Sequence, residues 1–341
     1  KVLATYGHVR DLVSKTGAVI PDQDFAMNYE ISEDSKKQLA KITKAVKQAK
    51  TLYLATDLDR EGEAIAWHVQ EILKERGLLA DKEVHRVVFN AVTKRAVQDS
   101  IKHPKVVSES LVNAYKARRA LDHLFGFNLS PLMWEKIAPK LSAGRVQSPA
   151  LRLIVEREDQ ISAFKPQEYW TIGAIAKHKD EVFRARLSKY GGEKTKQFSF
   201  TNEKTVREVE GVIKASAEGI LTVGKVEKKQ RQRKPTAPFI TSTLQQEASR
   251  KLGFSARQTM MTAQRLYEGI DIGDGSVGLI TYMRTDSVTL AGEAMAEIRS
   301  LIQDRYGPEN LPDEPRTYKT NTQNAQEAHE AIRPAGDPFM L

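Results

Sequence analysis

The 341-residue chain has no cysteine, which excludes disulfides and thiolate zinc sites and leaves oxygen and imidazole as the side-chain donors for any metal. No stretch approaches the roughly eighteen consecutive apolar residues that a membrane helix needs, and no signal-peptide pattern opens it, so a cytoplasmic protein without a membrane partner is expected. A Walker lysine motif is missing, consistent with chemistry that does not consume ATP. Low-complexity tracts and internal repeats are also absent. What remains, 40% apolar and 28% charged residues, is the balance of a folded protein, and the length calls for two to four structural units rather than one core. Lys and Arg outnumber Asp and Glu by 53 to 44, a net charge of +9. That excess suits a polyanionic partner, although simple solubility would account for it equally.

Along the chain, residues 1–5 read as a strand, and a polar helical pattern over 35–48 feeds a short apolar β-prone run at 51–55. A helix pattern over 63–75, a second strand at 84–89 and a helix capped by Thr93 follow. Strands alternating with helices over the first hundred residues predict a parallel α/β domain. Residues 108–164 are helical in pattern, with breaks expected at Ser130-Pro131 and at Gly144. Beyond Pro166 short alternating runs predict a β domain, which ends in a basic stretch at 225–235; such a stretch is usually a solvated connector and would also suit a phosphate backbone. Two helices, 242–252 and 255–268, then meet at Gly253 in a helix-turn-helix-like pair.

Two segments carry chemistry. In an extended run alternate side chains point the same way, so Asp57, Asp59 and Glu61 would converge where the strand leaves its sheet. Three such acids resist ionising together unless a cation joins them. Hard oxygen donors without Cys or His favour Mg²⁺; the plainer reading is that the acids favour the N-terminus of the following helix. The second segment is Gly278-Leu-Ile-Thr-Tyr-Met-Arg-Thr-Asp-Ser287, with Tyr282 two residues from Arg284. A phenol is a weak nucleophile at neutral pH, and a neighbouring guanidinium would favour the phenolate and hold a phosphate for attack. A half-buried structural tyrosine is the bland alternative.

The string from Tyr53 to His68, with its Thr-Asp-Leu-Asp-Arg-Glu-Gly-Glu core, resembles the acidic motif of the Toprim domain in type IA DNA topoisomerases. The Thr-Tyr-Met-Arg-Thr-Asp-Ser string is similar to the active-site signature of the bacterial topoisomerase I branch, whereas topoisomerase III and reverse gyrase relatives usually carry another residue at Met283. Further matches run in family order from Thr5-Tyr-Gly-His-Val-Arg-Asp-Leu12, through Asn113-Ala-Tyr-Lys-Ala-Arg-Arg-Ala-Leu-Asp122 and Leu141-Ser-Ala-Gly-Arg-Val-Gln-Ser148, to Gln326-Glu-Ala-His-Glu-Ala-Ile-Arg-Pro334. The resemblance implies Tyr282 as nucleophile, Arg284 positioning the scissile phosphate, His329 as phosphate contact or proton donor, Glu61 within the catalytic acids, and Asp57, Asp59 and Glu61 as Mg²⁺ ligands. DNA contacts are implied at His8, Arg118, Arg119, Asp122, Phe127, Trp134, Ser142, Ala143, Gly144, Arg145, Val146, Gln147, Arg284, His329 and Arg333. Residue by residue, plainer readings stand beside these: an Arg118–Asp122 surface ion pair four residues apart on one helix face, core packing for Phe127 and Trp134, a tight turn at Gly144.

The implied fold is multi-domain, α/β plus α and β, closing into a toroid: a Toprim Rossmann-like domain over 1–105, a helical gate domain over 106–165, a β arch over 166–241 and a helix-turn-helix-like nucleophile domain over 242–341. The implied reaction is ATP-independent, Mg²⁺-dependent relaxation of negatively supercoiled DNA by a monomer in the bacterial cytoplasm, at the nucleoid. The family also leads one to expect a first Toprim strand before Lys1, and a cysteine-rich zinc tail beyond the last residue. Three rivals make different demands. A topoisomerase III-like enzyme would favour decatenation, a Toprim nuclease or primase needs the acids without Tyr282, and a single-strand DNA-binding protein needs neither.

Overall fold

A computed structural model of the chain describes residues 1–271, 273, 275–318 and 330–335. The chain forms two compact units, one built from residues 1–145 and 235–341 and the other from 146–234. The boundary at residue 145 falls inside the helical segment expected over 106–165.

The first unit opens without a strand at residues 1–5, where the backbone is irregular. Two small antiparallel ladders follow, Asp11–Leu12 (β1) with Tyr29–Glu30 (β4), and Val19–Ile20 (β2) with Ala26–Met27 (β3). Helix α1 (Glu33–Gln48) starts at Ser32, whose hydroxyl accepts the Ser35 amide. It leads into β5 (Thr51–Leu54), helix α2 (Arg60–Glu75) and β6 (Glu83–Arg86), and β5 and β6 pair in parallel as the strand–helix–strand alternation predicts. Apolar positions repeating along α1 and α2 (Leu39, Ile42, Val46; Ala66, Val69, Ile72, Leu73) close over Leu54 and Val9 as one core.

Helix α3 (Lys94–Lys102) is capped by Thr93, and α4 (Glu109–Lys136) by Ser108. The break expected at Ser130-Pro131 does not occur, and α4 continues through Pro131. The end of α4 is tied instead to the following turn: the Ser130 hydroxyl accepts the Ala143 amide, and the Trp134 indole donates to the Leu141 carbonyl.

The second unit holds α5 (Gln147–Ser162), the antiparallel hairpin β7 (Gly173–His178) and β8 (Glu181–Arg186), a smaller hairpin β9 (Lys189–Tyr190) with β10 (Glu193–Lys194), and α6 (Glu203–Ala217). Its core is small: Phe200, Val206 and Val209 with Trp170, Ile172, Leu187 and Ile213 against them. The basic stretch at 225–234 is exposed and irregular; its one acid, Glu227, is bracketed by Lys225 and Lys229.

Back in the first unit, α7 (Thr241–Leu252) and α8 (Ala256–Glu268) fall close to their expected limits. Gly253, at φ 68°, ends α7, and the Ser255 hydroxyl caps α8. The short pair β11 (Ile270–Asp271) and β12 (Ser276–Val277) and helix α9 (Gly292–Tyr306) complete it. No helix among the described residues is long and apolar enough to cross a membrane.

A buried histidine in the first unit gives a pH-dependent stability. His68, on α2, is fully enclosed; Arg10 Nε donates to its Nδ1 at 2.7 Å, and the rings of Tyr29, Trp67 and Tyr115 surround it. Burial, then the charges of Arg10 and His8, push its pKa from 6.5 down to about 3. Between those values the unfolded chain binds a proton that the folded chain refuses. The stabilisation is therefore complete above the unfolded pKa and is lost as the pH falls, by about 2 kcal/mol at roughly pH 5. Thermal melts of wild type and His68→Gln at neutral and mildly acid pH test this: the wild type is expected to lose more stability on acidification than the variant, and parallel losses would refute the assignment.

Candidate active site

The acidic loop connects β5 to α2, and its geometry differs from an extended run. Asp59 is the N-cap of α2, its Oδ1 accepting the Gly62 amide at 2.8 Å, and Glu61 already lies in the first helical turn. Alternation along a strand therefore does not bring the three acids together. Glu61 turns towards His8 (Nε2 to Oε2, 3.4 Å). Asp57 and Asp59 do interact: burial first, and then the Asp59 charge, raise the Asp57 carboxyl above the usual carboxylate range. Among the described residues no group of three or more His, Cys, Asp and Glu is placed to hold a metal. The smaller set still fits a hydrated ion, because Mg²⁺ commonly takes only one or two protein carboxylates and keeps water or phosphate oxygens. A desolvated, mutually repelling pair is what such a cation would relieve.

The loop is held from behind by a fully buried arginine. Arg86, the last residue of β6, donates from Nε to Glu63 Oε2 (2.9 Å), from Nη1 to the carbonyls of Leu54, Thr56 and Val87, and from Nη2 to the Asp57 carbonyl (2.6 Å). Glu63 Oε1 in turn accepts the Ser108 amide at the start of α4 (2.6 Å). A buried charge pair is tolerable only when its remaining donors and acceptors are satisfied in this way. On the other side of the loop, Gly62 lies so close that an added Cβ would sit 2.1 Å from the Asp57 carbonyl oxygen.

Tyr282 is brought to this loop across 223 residues of sequence, its hydroxyl donating to Asp59 Oδ2 at 2.7 Å. Its ring is buried with Ala263, Tyr267, Met283 and Ile332, and Leu58 of the acidic loop packs against the same cluster; the Tyr267 ring meets it edge-on at 5.2 Å. The Tyr282 amide donates to the Asn90 carbonyl (2.8 Å), and the neighbouring Thr281 hydroxyl donates to the Ala331 carbonyl (2.7 Å). Arg284 is half exposed, with Nη1 3.5 Å from the same Asp59 oxygen.

Arg284 favours the phenolate, as expected, but is outweighed in this arrangement. Burial first, then the charge of Asp59 and its hydrogen bond, raise the Tyr282 pKa far above that of free tyrosine, and Arg284 only partly opposes them. Tyr282 is a neutral phenol whose proton already points at a carboxylate.

His8 stacks on Tyr115 of α4 (5.6 Å), and Arg119 makes two hydrogen bonds to Asp11 (2.9 and 2.6 Å). The simple Arg118–Asp122 pair is replaced by a longer-range one: Asp122 accepts both Arg145 Nε (2.8 Å) and Nη2 (3.3 Å), while Arg118 is exposed. Phe127 is half-buried against the His123 ring (4.3 Å), Trp134 is half exposed, Ala143 is buried, and Ser142 and Gly144 lie in the turn after α4. Val146 and Gln147 stand at the start of α5 in the second unit. Arg333 is held by Glu330 (2.6 and 3.2 Å), and His329 lies outside the described residues.

Several residues went unassigned at the sequence level. Asp11 and Glu63 sit inside strings that were singled out, so position in a motif was a usable signal. Glu330, whose carboxylate takes hydrogen bonds from the Asn90 side chain and the Ala291 amide, likewise sits inside the string over 326–334, whereas Arg86 and Asn90 give no sign, because their roles exist only through tertiary contacts.

Known proteins resemble this arrangement closely. A family described as DNA topoisomerase matches residues 106–339 and the Toprim domain matches residues 1–92. DNA topoisomerase 1 of Xylella fastidiosa is 57% identical over 334 residues, covering 98% of this chain and 41% of that protein. The Rickettsia bellii protein of the same name is 53% identical over 342 residues, covering 100% of this chain and 42% of its own length. Full-length topoisomerase I of Thermotoga maritima superposes with a TM-score of 0.77 at 35% identity, over 98% of this chain and 51% of that one. The chain thus spans about two fifths of the length of the curated relatives it matches, and its Toprim portion is a domain of a metal-binding kind. With a tyrosine seated on a Toprim acid and both family patterns covering nearly the whole sequence, the chain belongs to the bacterial type IA DNA topoisomerases.

Proposed function

We propose that the protein containing this chain relaxes negatively supercoiled DNA by cutting and resealing one strand through Tyr282. The hydrogen bond from Tyr282 to Asp59 carries the reading, because it places a nucleophile and a proton acceptor at one point. Tyr282 Oη forms a bond to the phosphorus of a single-stranded phosphodiester as its proton passes to Asp59 Oδ2. The bond from phosphorus to the 3′ oxygen breaks, and that oxygen leaves as a hydroxyl by taking a proton from solvent, while Asp59 returns the phenol proton to solvent. The 5′ phosphate is then held as a tyrosine ester that conserves the bond energy, so the 3′ hydroxyl reverses the step without ATP once another strand has passed. Arg284, beside the same carboxylate, is placed to hold a non-bridging phosphate oxygen.

Asp57 and Asp59, with Glu61 alongside after a small movement, would hold Mg²⁺, which when bound supplies positive charge to the phosphate and the departing oxygen. On this reading α4 and the turn at Ser142–Arg145 accompany the strand. The divisions 1–105, 106–165, 166–241 and 242–341 correspond to the Toprim, gate, arch and nucleophile parts of a toroidal monomer working at the bacterial nucleoid.

The test is to mix the whole protein with Mg²⁺ and single-stranded DNA labelled at either end, and then denature it. A 3′-end label is expected to stay with the protein and a 5′-end label to be released. The reverse pattern, or adducts that form equally well after chelation of Mg²⁺, would overturn the proposal.

A further inference from the structure

Asp11 opens β1 within the early Gly-His string, yet it makes its strongest contacts 108 residues away. Arg119 of α4 donates from Nε to Asp11 Oδ1 (2.9 Å) and from Nη2 to Oδ2 (2.6 Å), while the Leu12 amide fixes Oδ1 at 2.7 Å. A guanidinium has five N–H donors in a rigid plane, and this fork engages one edge and leaves the Nη1 edge turned away from the carboxylate. Arg145 is held by Asp122 in the same Nε and Nη2 manner, so the design occurs twice beside one helix. Both members of the Asp11–Arg119 pair are over a third exposed at the side chain. Pairs in that setting contribute at most about 1 kcal/mol to stability, so holding the fold together is a poor account of so specific a geometry.

We propose that Asp11 is a positioning residue, fixing Arg119 so that its free edge meets a phosphate of the strand that Tyr282 attacks. The inference rests on the proposed function, in which α4 lies along that strand. Its physical content is preorganisation: an unpinned arginine must give up about 2 kcal/mol of rotamer freedom on binding, and a pinned one has already done so. Charge alone predicts the opposite, since removing a carboxylate beside a polyanion strengthens attraction.

Affinity and cleavage are therefore expected to separate in Asp11→Asn. Anisotropy titration with single-stranded DNA should give binding equal to wild type or up to about threefold tighter, whereas adduct formation at saturating DNA should slow by about tenfold. Arg119→Lys, which keeps the charge but loses the fork, should show a similar slowing. Asp11→Asn should have no further effect in an Arg119→Ala background, a result that a merely structural role would not produce. Wild-type cleavage by both Asp11→Asn and Arg119→Lys, or independent multiplication of the Asp11→Asn and Arg119→Ala effects, would overturn the inference. A wild type that forms no adduct would remove the proposed function beneath it.

Discussion

Tyr282→Phe is expected to abolish covalent capture of DNA while leaving the fold and DNA binding in place. The substitution deletes one oxygen. The ring keeps its packing against Tyr267, Met283 and Ile332, and the lost hydrogen bond to Asp59 changes stability by about 1 kcal/mol. Asp59 is not stranded, since Arg284 and the Gly62 amide still face it. Removing a nucleophile commonly costs on the order of 10⁴ to 10⁶ in rate, which places adduct formation below detection in a denaturing gel. Removing the supporting cation in Arg284→Ala costs less, about 10² to 10³, and should leave a slow adduct. The ordering of the two variants is itself informative, because a Toprim nuclease would lose nothing with the tyrosine. Magnesium-dependent cutting that persists undiminished in Tyr282→Phe would refute the role given to this residue.

The parts of the fold that could be read from sequence are those fixed by local chemistry. Caps at Ser255 and Thr93, the glycine ending α7, and the helical patterns over 35–48 and 63–75 act within a few residues, and each helix lies near its expected limits. The errors arose where tertiary partners override local preference. Residues 1–5 look like a strand and pair with none among the described residues, and Pro131 interrupts a pattern without interrupting the helix.

The site follows the same division. Tyr282, Arg284, Asp57 and Asp59 were identifiable because they sit in strings whose residue types make chemical sense together. The protonation of Tyr282 was not, because it depends on how deeply the ring is buried and on Asp59 arriving from 223 residues away. Likewise the pairing of Asp122 with Arg145 in place of Arg118 follows from the turn after α4 folding back, which helix spacing alone cannot foretell.

Gly62→Ala is expected to disable the site by a route involving no chemical group at all. The added methyl would lie 2.1 Å from the Asp57 carbonyl oxygen and 2.6 Å from its carbon, well inside contact distance, so either the loop or the helix start must move. Both are clamped. The Asp57 carbonyl accepts from Arg86, Arg86 is locked by Glu63, the Gly62 amide caps on Asp59, and its carbonyl accepts the Thr56 hydroxyl at 2.6 Å. Overpacking of a rigid core costs about 1–3 kcal/mol or more, and here the upper end applies because the clash is with backbone rather than with a side chain that can swing away. Any relief displaces Asp59, and with it the partner that orients Tyr282.

Melting temperature should therefore fall by several degrees, and adduct yield by more than about a hundredfold. Gly126→Ala provides the contrast within the same unit. Gly126 lies inside α4 with its nearest neighbour 3.9 Å from an added Cβ, so the better helix former should be neutral or raise stability by up to about 1 kcal/mol. Equal melting temperatures for Gly62→Ala and wild type, with adducts formed at the same rate, would show that the loop yields freely and that its clamp has no part in placing Asp59.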